Sequence, residues 1–280
     1  MLKKSFLPLT TLSLALSLEL VISTSLPATA KSQSNSVLDL QGPNRRESVG
    51  QLLARRARLG FKVPNIRASR NRYGGAARGN CSLDQTSQLE MKTLLPDTNI
   101  GLTVAAQPTF FFLISNTSAT EVKEAKFILL HENHEENRDD IIYQKTLPLS
   151  GKGGVMSVTL PPEAGALEVG KEYRWEAQVS CSGDGDESSN PHIDGSIKRV
   201  QPDAELASKL EKASPRDRVA LYAKAGYWNS SLETLAKLRL ANPNDQELKD
   251  DWQELLETVG LGTIAQEPLV MLGSNSSQTP

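Results

Sequence analysis

The stretch Lys171–Cys181, with the sequence KEYRWEAQVSC, decides the fold because large apolar and polar side chains alternate along it. A period of two is typical of a β-strand that buries one face. The inward face would carry Tyr173, Trp175, Ala177, Val179 and Cys181, and the outward face Arg174, Glu176, Gln178 and Ser180. We therefore predict a half-buried strand in which Cys181 shares the buried face with Trp175.

Neighbouring segments show related strand patterns. The alternation recurs in Ala125–Leu129 and Met156–Leu160, while Thr109–Ile114 is apolar throughout, which is typical of a central strand. Pro and Gly residues separate these segments and mark turns. About seven short strands without an intervening helical pattern favour an antiparallel β-sandwich over a parallel α/β sheet. We assign residues 72–201 to this β-sandwich domain.

After Pro202 the apolar residues recur with a helical period. Residues 214–217 provide a serine cap, a proline at the first helical position and an acid at the third, which together indicate a helix start. Asn229 is expected to cap the following helix. Because short helices expose more apolar surface than they cover among themselves, we predict that residues 202–268 pack on the sandwich. Residues 269–280 are predicted to form a flexible tail.

One hairpin in the helical region has residues at tetratricopeptide-type spacing. The matching positions are Tyr222, Gly226, Leu235, Leu238 and Pro243, with Ser231 where a small alanine is usual. A solenoid needs several stacked units of this kind, so a single hairpin must pack on another element. The predicted fold class is therefore mixed β and α: an antiparallel β-sandwich followed by a C-terminal helical region with one TPR-like hairpin.

Residues 1–30 have the three parts of an export signal. Lys3 and Lys4 form a charged start, an apolar stretch follows, and Ala28–Ala30 supplies the small residues that a signal peptidase requires. A membrane anchor is the alternative, but the polar residues within the stretch make a poor lipid span. We therefore expect a cleaved signal peptide and a mature protein in the periplasm or outside the cell.

The compartment determines how the two cysteines, Cys81 and Cys181, are interpreted. Disulfides form and persist in oxidising compartments. Because only one intrachain pairing exists, we predict a bond between Cys81 and Cys181 that ties the start of the strand series to its end. Two buried free thiols, or an intermolecular bond, are the alternatives.

Residues 31–71 are predicted to be a flexible polar leader followed by a basic arm. Arg45–Arg78 contains nine Arg and one Lys against a single acid, a net charge of +9, whereas the whole chain carries −2. Arg55, Arg56 and Arg58 lie in a short segment with helical apolar spacing. The arm either rests on the acidic remainder of the chain as a solvated linker or contacts an anionic envelope polymer or membrane surface. Nucleic acid is not expected as a partner of an exported protein.

Two charged loops carry ligand-type side chains. In His131–Asp140, His131 and His134 stand among Glu residues, but they follow a strand and lack the helical His-Glu-x-x-His pattern of zinc proteases. Gly183–Asn190 alternates acids as a calcium loop does, but lacks the turn glycine and the bidentate Glu of such loops. We favour a solvated hairpin turn for the first loop and predict no metal and no cofactor.

Motifs for catalysis are mostly absent from the sequence. The chain has three His, it has no Gly-x-Ser-x-Gly elbow, and Gly151–Gly154 lacks the Walker spacing and is expected to be a hairpin turn. A glycosidase-type carboxylate pair is defined by separation in space, so the sequence does not test it. We predict no catalytic residues.

Several motifs occur in the order found in one known family. They are GGAARGNC at 74–81, PTFFF at 108–112, LEVGK at 167–171 with Tyr173 and Trp175, AKAGYW at 223–228 and QEPL at 266–269. Over residues 72–270 the chain resembles an exported cyanobacterial family of unknown function, DUF928. The resemblance implies an exported protein, and it carries over no activity and no functional residues.

We therefore expect an exported, non-enzymatic binding or interaction protein of the cell envelope. Its partner would be an envelope protein or a glycan, and a hydrolase is the third alternative. Exposed aromatic side chains on a concave sheet would favour a glycan, whereas an exposed apolar patch on the helices would favour a protein partner. The sequence assigns no oligomeric state.

Overall fold

A computed structural model describes residues 59–66, 89–115, 122–133, 138–149, 151–181 and 190–272. These residues form a mixed β and α structure, as the sequence predicts. The strands among them are β1 (Met91–Thr93), β2 (Ile100–Thr103), β3 (Thr109–Ile114), β4 (Val122–Asn133), β5 (Arg138–Pro148), β6 (Gly154–Thr159), β7 (Glu172–Cys181), β8 (His192–Arg199) and β9 (Leu269–Leu272). The helices are α1 (Ala204–Lys212), α2 (Pro215–Ala225), α3 (Trp228–Ala241) and α4 (Gln246–Glu257), with short 3₁₀ helices at Pro162–Ala164 and Gly262–Gln266.

The strands form two sheets. Sheet A has five strands in the order β2-β8-β7-β4-β5, and sheet B has four in the order β1-β3-β6-β9. Neighbouring strands are antiparallel except for β2 with β8 and β6 with β9, which are parallel. The prediction of a wholly antiparallel arrangement is therefore wrong at two sheet edges. Both parallel pairs join strands that are distant in sequence, so no local turn signal marks them.

Aromatic residues from the two sheets meet in a common core. The ring centroid of Phe110 in β3 lies 4.9 Å from that of Phe127 in β4 and 5.9 Å from that of Trp175 in β7. Phe112, the next residue on the same face of β3, lies 6.1 Å from Trp175. The predicted inward face of β7 thus packs on β3. As its apolar sequence predicts, β3 is a central strand of its sheet.

The helical region covers the face of β3 that is turned away from sheet A. Phe111 and Leu113 alternate with the inward rings and are also buried. They belong to the same hydrophobic cluster as Leu235, Trp252 and Leu256 of α3 and α4. The core therefore runs from sheet A through sheet B into the helices.

Helices α1 and α2 begin at side chains that cap them. Asp203 Oδ1 accepts a hydrogen bond from Leu206 N at 2.7 Å, and Ser214 Oγ accepts one from Asp217 N at 3.1 Å. Each bond satisfies an N–H group that has no partner within the helix.

In the described part of the chain, no helix combines the length and the apolarity needed to cross a membrane.

The prediction that Asn229 caps α3 is wrong, because α3 already begins at Trp228. α2 is followed by Gly226, whose φ of 77° is the left-handed conformation that favours glycine. A Cβ at this position would also lie 2.8 Å from the backbone oxygen of Lys62. Only Tyr227 separates Gly226 from α3, so Asn229 falls in the first turn, where it is buried.

Leu269–Leu272 forms β9, although the sequence predicts a flexible tail over 269–280. β9 lies parallel to β6, and Val155 N donates to Pro268 O at 2.8 Å beside it. The approach is closest at Gly154, where a Cβ would lie 2.5 Å from Pro268 O. Four apolar residues before a polar C-terminal sequence are too short a pattern to predict a strand.

The connections on either side of β5 differ in kind. Gly151–Gly154 is not a hairpin turn, because it leads from β5 of sheet A to β6 of sheet B. The charged run His131–Asp140 belongs to the long hairpin of β4 and β5, whose pairing reaches Asn133 and Arg138. Residues 134–137 between them lie outside the described part.

Candidate functional site

Most of the residues that the sequence singles out lie outside the described part of the chain. They are Arg55, Arg56, Arg58, Cys81 and residues 183–189 of the acidic loop. Cys181 is the last residue of β7, and its side chain is not described. The disulfide and the contact made by the basic arm therefore stay predictions.

His131 and Glu132 of the predicted charged loop point to opposite sides of sheet A. The imidazole ring of His131 lies 5.5 Å from the ring of Tyr173, measured between centroids. Glu132 Oε1 lies 3.6 Å from Arg174 Nε. Because consecutive side chains of a strand alternate between faces, these two residues do not converge on one ion. Among the described residues, no group of three or more His, Cys, Asp or Glu could hold a metal.

Glu233 of α3 is a buried carboxylate that neighbouring side chains already bind. It accepts hydrogen bonds from Lys237 Nζ at 2.6 Å and Thr109 Oγ1 at 3.1 Å. Thr109 in turn lies 3.0 Å from Thr159 Oγ1, on the neighbouring strand. A general acid or base must reach a substrate, whereas Glu233 is 7% exposed. This cluster therefore joins α3 to sheet B and has a structural role.

A cleft of about 460 Å³ lies between β1 and the turn that follows α4. Its volume falls within the range of about 300–1,000 Å³ that is typical of ligand sites. The described residues that line it are Val63, Lys92, Thr93, Leu95, Pro96, Asp97, Thr98, Thr258, Val259, Gly260 and Leu261. Leu95 and Leu261 are buried and give an apolar floor, whereas Asp97 and Thr258 are exposed and place polar groups at the rim.

Hydrogen bonds fix the wall of the cleft that follows β1. Trp228 Nε1 donates to Leu94 O at 2.7 Å and attaches the end of β1 to α3. Asn99 N donates to Pro96 O at 2.8 Å and closes a turn. Asn99 has a φ of 54°, a conformation that Asn adopts more readily than most residues. Its side chain Nδ2 also donates to Asp194 O at 3.1 Å, so this wall is tied to sheet A.

The opposite wall is the end of α4. Thr258 Oγ1 donates to Leu255 O at 2.6 Å, and Leu261 N donates to Leu256 O at 2.9 Å. Gly260 between them has a φ of 76°, the left-handed conformation in which many helices end. These bonds satisfy carbonyl groups at the helix end and turn the chain back toward the core.

Lys92 and Asp97 place opposite charges beside the cleft. Lys92 is half-buried and Asp97 is exposed. Neither side chain forms an ion pair with any other described residue. Both charges are therefore available to a bound molecule, where complementary charge contributes specificity and faster association.

The side of β1 that does not pair with β3 borders the same cleft, and Met91 and Thr93 are buried there. Leu94 N donates to Phe111 O at 3.2 Å, in register with the antiparallel pairing of β1 and β3. In such a ladder, residues bonded to the partner alternate with residues whose N–H and C=O groups face the other side. Met91 and Thr93 therefore direct their backbone groups away from β3, and Thr93 lines the cleft.

Sequence reasoning did not identify this cleft. Lys92 and Asp97 are ordinary charged residues near a short strand, and they carry no motif. Pro96 and Gly260 each signal a turn, but they lie far apart in sequence and only the tertiary structure brings them together.

Comparison with known proteins bears on the family of the chain. A search of curated proteins gives no match. A family model described as a domain of unknown function, DUF928, matches residues 73–269. The matched range includes sheet A, α1 to α4 and the cleft residues from both walls. The match confirms the family resemblance seen in the motifs, and the chain belongs to the DUF928 family.

Proposed function

We propose that the protein is an exported, non-enzymatic binding protein of the cell envelope, and that the cleft beside β1 holds an envelope protein partner. The observation that carries this proposal is the rim of the cleft, where Lys92 and Asp97 form no ion pair within the described residues. An apolar floor supplies contact area for a ligand, and charges at the rim orient it.

Exposed side chains favour a protein partner over a glycan. Exposed aromatic side chains, which offer a large apolar surface and, in Tyr and Trp, a polar group at the ring edge, are the residues expected on a sugar-binding face. The large apolar side chains that are exposed in the described residues are Val63, Ile141, Val169, Leu240 and Met271. None of these is aromatic, and Val63 lines the cleft.

A hydrolase has less support from the same cleft. Glycoside hydrolysis uses two carboxyl groups that face a common space. Of the described residues that line the cleft, Asp97 is the one acid. Glu233, the buried carboxylate, lies in the contact between α3 and sheet B and is bound by Lys237.

Two finer features of the fold belong to this proposal. The ring contacts between β3 and β7 support a β-sandwich made of sheets A and B. The turn at Gly226 and the 3.0 Å hydrogen bond from Ser231 Oγ to Val219 O support a TPR-like hairpin of α2 and α3. A crystal structure in which α2 and α3 cross far from the angle of tetratricopeptide hairpins would remove the second feature.

Export explains the features assigned to the N-terminal part of the sequence. A cleaved signal peptide at residues 1–30 would place Cys81 and Cys181 in an oxidising compartment, and mass analysis without reductant should find them bonded. The arm with Arg55, Arg56 and Arg58 would contact anionic surfaces. Replacing its arginines with Gln should then weaken sedimentation with anionic vesicles, and unchanged sedimentation would favour the linker interpretation.

Site-specific photo-crosslinking in the native envelope tests the proposed function. A crosslinking amino acid replaces Thr98 on the rim of the cleft, and the control position is Val169, which is exposed and outside the cleft. We expect a defined crosslinked protein from position 98 alone, and its loss when Lys92→Glu is added. Equal products from both positions, or none from position 98, would show that the cleft is not the binding site.

A further inference from the structure

We propose that residues 67–80, the arginine segment, bind across the outer face of sheet A, and that their arginines pair with its carboxylates. The outer face is the side of sheet A that is turned away from sheet B. This inference goes beyond the proposed function and does not involve the cleft. It gives the two halves of the basic stretch different tasks, because residues 67–80 complete the fold whereas residues 45–58 stay available to the envelope.

Several side chains on the outer face of sheet A are buried, although they point away from the core. Ile100 of β2 pairs with Ser196 of β8, which pairs in turn with Arg174 of β7, so all three lie on this face. Ile100 and Ser196 are each 3% exposed, and Leu102 and Leu130 on the same face are also buried. None of these apolar side chains belongs to the hydrophobic cluster that the described residues form between the sheets and the helices. An element other than that core therefore has to cover them.

The same face carries a net charge of −3. The strand register places six acids and three bases on it: Glu124, Glu132, Asp139, Glu172, Glu176 and Asp194 against Lys126, Arg174 and Lys198. Asp194 lies opposite Glu176 and is 7% exposed. Two carboxylates held side by side repel each other, and a buried carboxylate is costly unless a cation pairs with it. The covering element should therefore be basic.

The composition of the arginine segment complements this face. The segment contains no acid and four arginines, at Arg67, Arg70, Arg72 and Arg78. Guanidinium groups bind carboxylates with two parallel hydrogen bonds and suit partly buried ion pairs better than lysine does. Gly74–Ala77 are small residues that let a backbone approach a surface closely.

The chain is anchored on both sides of the segment. Lys62 N donates to Ala223 O at 3.0 Å, so the chain enters residues 67–88 from the helices and leaves them into β1 of sheet B. These 22 residues span up to about 70 Å when extended, whereas packed layers lie about 10 Å apart, so they are long enough to pass around sheet B. The predicted disulfide of Cys81 with Cys181 would hold the segment at the end of β7. Such tethering keeps its effective concentration at the sheet high.

Intramolecular photo-crosslinking of the chain from residue 31 onward tests this binding directly. A crosslinking amino acid replaces Ile128, a half-buried residue of β4 that lies between Glu176 and Gln144 on the outer face. The control position is Leu240, which is exposed on α3. We expect position 128 to capture a peptide from residues 67–80 and position 240 not to. Capture of a separate protein at position 128, of other parts of the chain alone, or of nothing would overturn the proposal.

Proteolysis measures how firmly the segment is held. Tyr73 lies among the arginines and is a cleavage site for chymotrypsin. A segment must detach before a protease can cut it, so replacing the four arginines with Gln should speed cleavage after Tyr73 about tenfold or more. The matched control replaces Arg55, Arg56 and Arg58 with Gln and should leave the rate unchanged.

Equal cleavage rates in the unchanged protein and both variants, or equal increases in the two variants, would overturn the proposal. If the variant without the four arginines does not fold, the crosslink from position 128 still decides, because that protein keeps every arginine.

Discussion

The contact of α3 with the sheets and the cleft beside β1 both contain charged residues. The two regions differ in whether these charged side chains have bonding partners among the described residues. At α3, Glu233 is buried and accepts bonds from Lys237 and Thr109. At the cleft, Lys92 and Asp97 form no ion pair with the described residues. Buried polar groups need partners for the fold to be stable, whereas rim charges remain available to another molecule. We therefore expect substitutions at α3 to affect folding and substitutions at the cleft to affect binding.

The largest effect is expected at Trp228, which connects the two regions. Its fully buried ring packs edge-on against Phe61, and its Nε1 donates to Leu94 O. Trp228→Ala should lower the free energy of unfolding by about 3–5 kcal/mol. Trp228→Phe keeps an aromatic ring but leaves the carbonyl without its donor, so about 1–3 kcal/mol is expected. Urea titration measures both, and equal losses would show that the hydrogen bond, rather than ring packing, dominates.

A close approach of backbone and side chain should make Gly101→Ala the next largest change. The new Cβ would overlap Asn229 Oδ1, so a loss of about 1–3 kcal/mol in the free energy of unfolding is expected. Asn229→Ala removes the overlapping atoms. In a double-mutant cycle the combined variant should therefore lose less stability than the sum of the single variants. Strict additivity would mean that α3 moves away from β2 rather than clashing with it.

Two glutamates allow a matched test of burial. Glu233→Ala leaves Thr109 without its carboxylate partner inside the protein, and about 1–3 kcal/mol should be lost. Glu247→Ala breaks an ion pair with Arg216 whose side chains are 61% and 46% exposed, and at most about 1 kcal/mol is expected. Thermal and chemical denaturation compare the two variants. A larger loss at Glu247 would contradict the structural role of the α3 cluster.

The smallest change in stability is expected at the cleft. Lys92→Ala and Asp97→Ala remove no ion pair in the described residues, so the free energy of unfolding should change by less than about 0.5 kcal/mol. The same variants should reduce crosslinking of a partner from position 98. Denaturation and crosslinking of the same variants test both parts, and a loss of stability comparable to that of Glu233→Ala would abolish the distinction between the two regions.

Local patterns in the sequence predict the elements whose side chains alternate clearly. Trp175 and its neighbours in β7 pack inward as their period of two predicts, and Thr109–Ile114 is a central strand because both of its faces are apolar. Ser214 and Asp217 begin α2 through a cap that acts within one turn. These features depend on residues close together in the chain, so a single sequence contains enough information to predict them.

Features that depend on distant residues were not predicted. The first turn of α3 is mostly polar, and apolar periodicity gives no reason to expect that Asn229, Ser230 and Ser231 are buried. Their partners are on β2, β3 and α2. No local pattern in the sequence predicts the cleft either, because Asp97 and Val259 come together only in the folded chain.

The parallel pairing of β9 with β6 joins two strands that are synthesised far apart in time. Ser157 Oγ donates to Val270 O across 113 positions of sequence, and the helical region lies between the two strands. A chain that emerges from its N-terminal side presents β6 long before β9 exists. Sheet B can therefore be completed only after the helical region has been synthesised, when β9 becomes available to pair with β6 beside Gly154 and Val155.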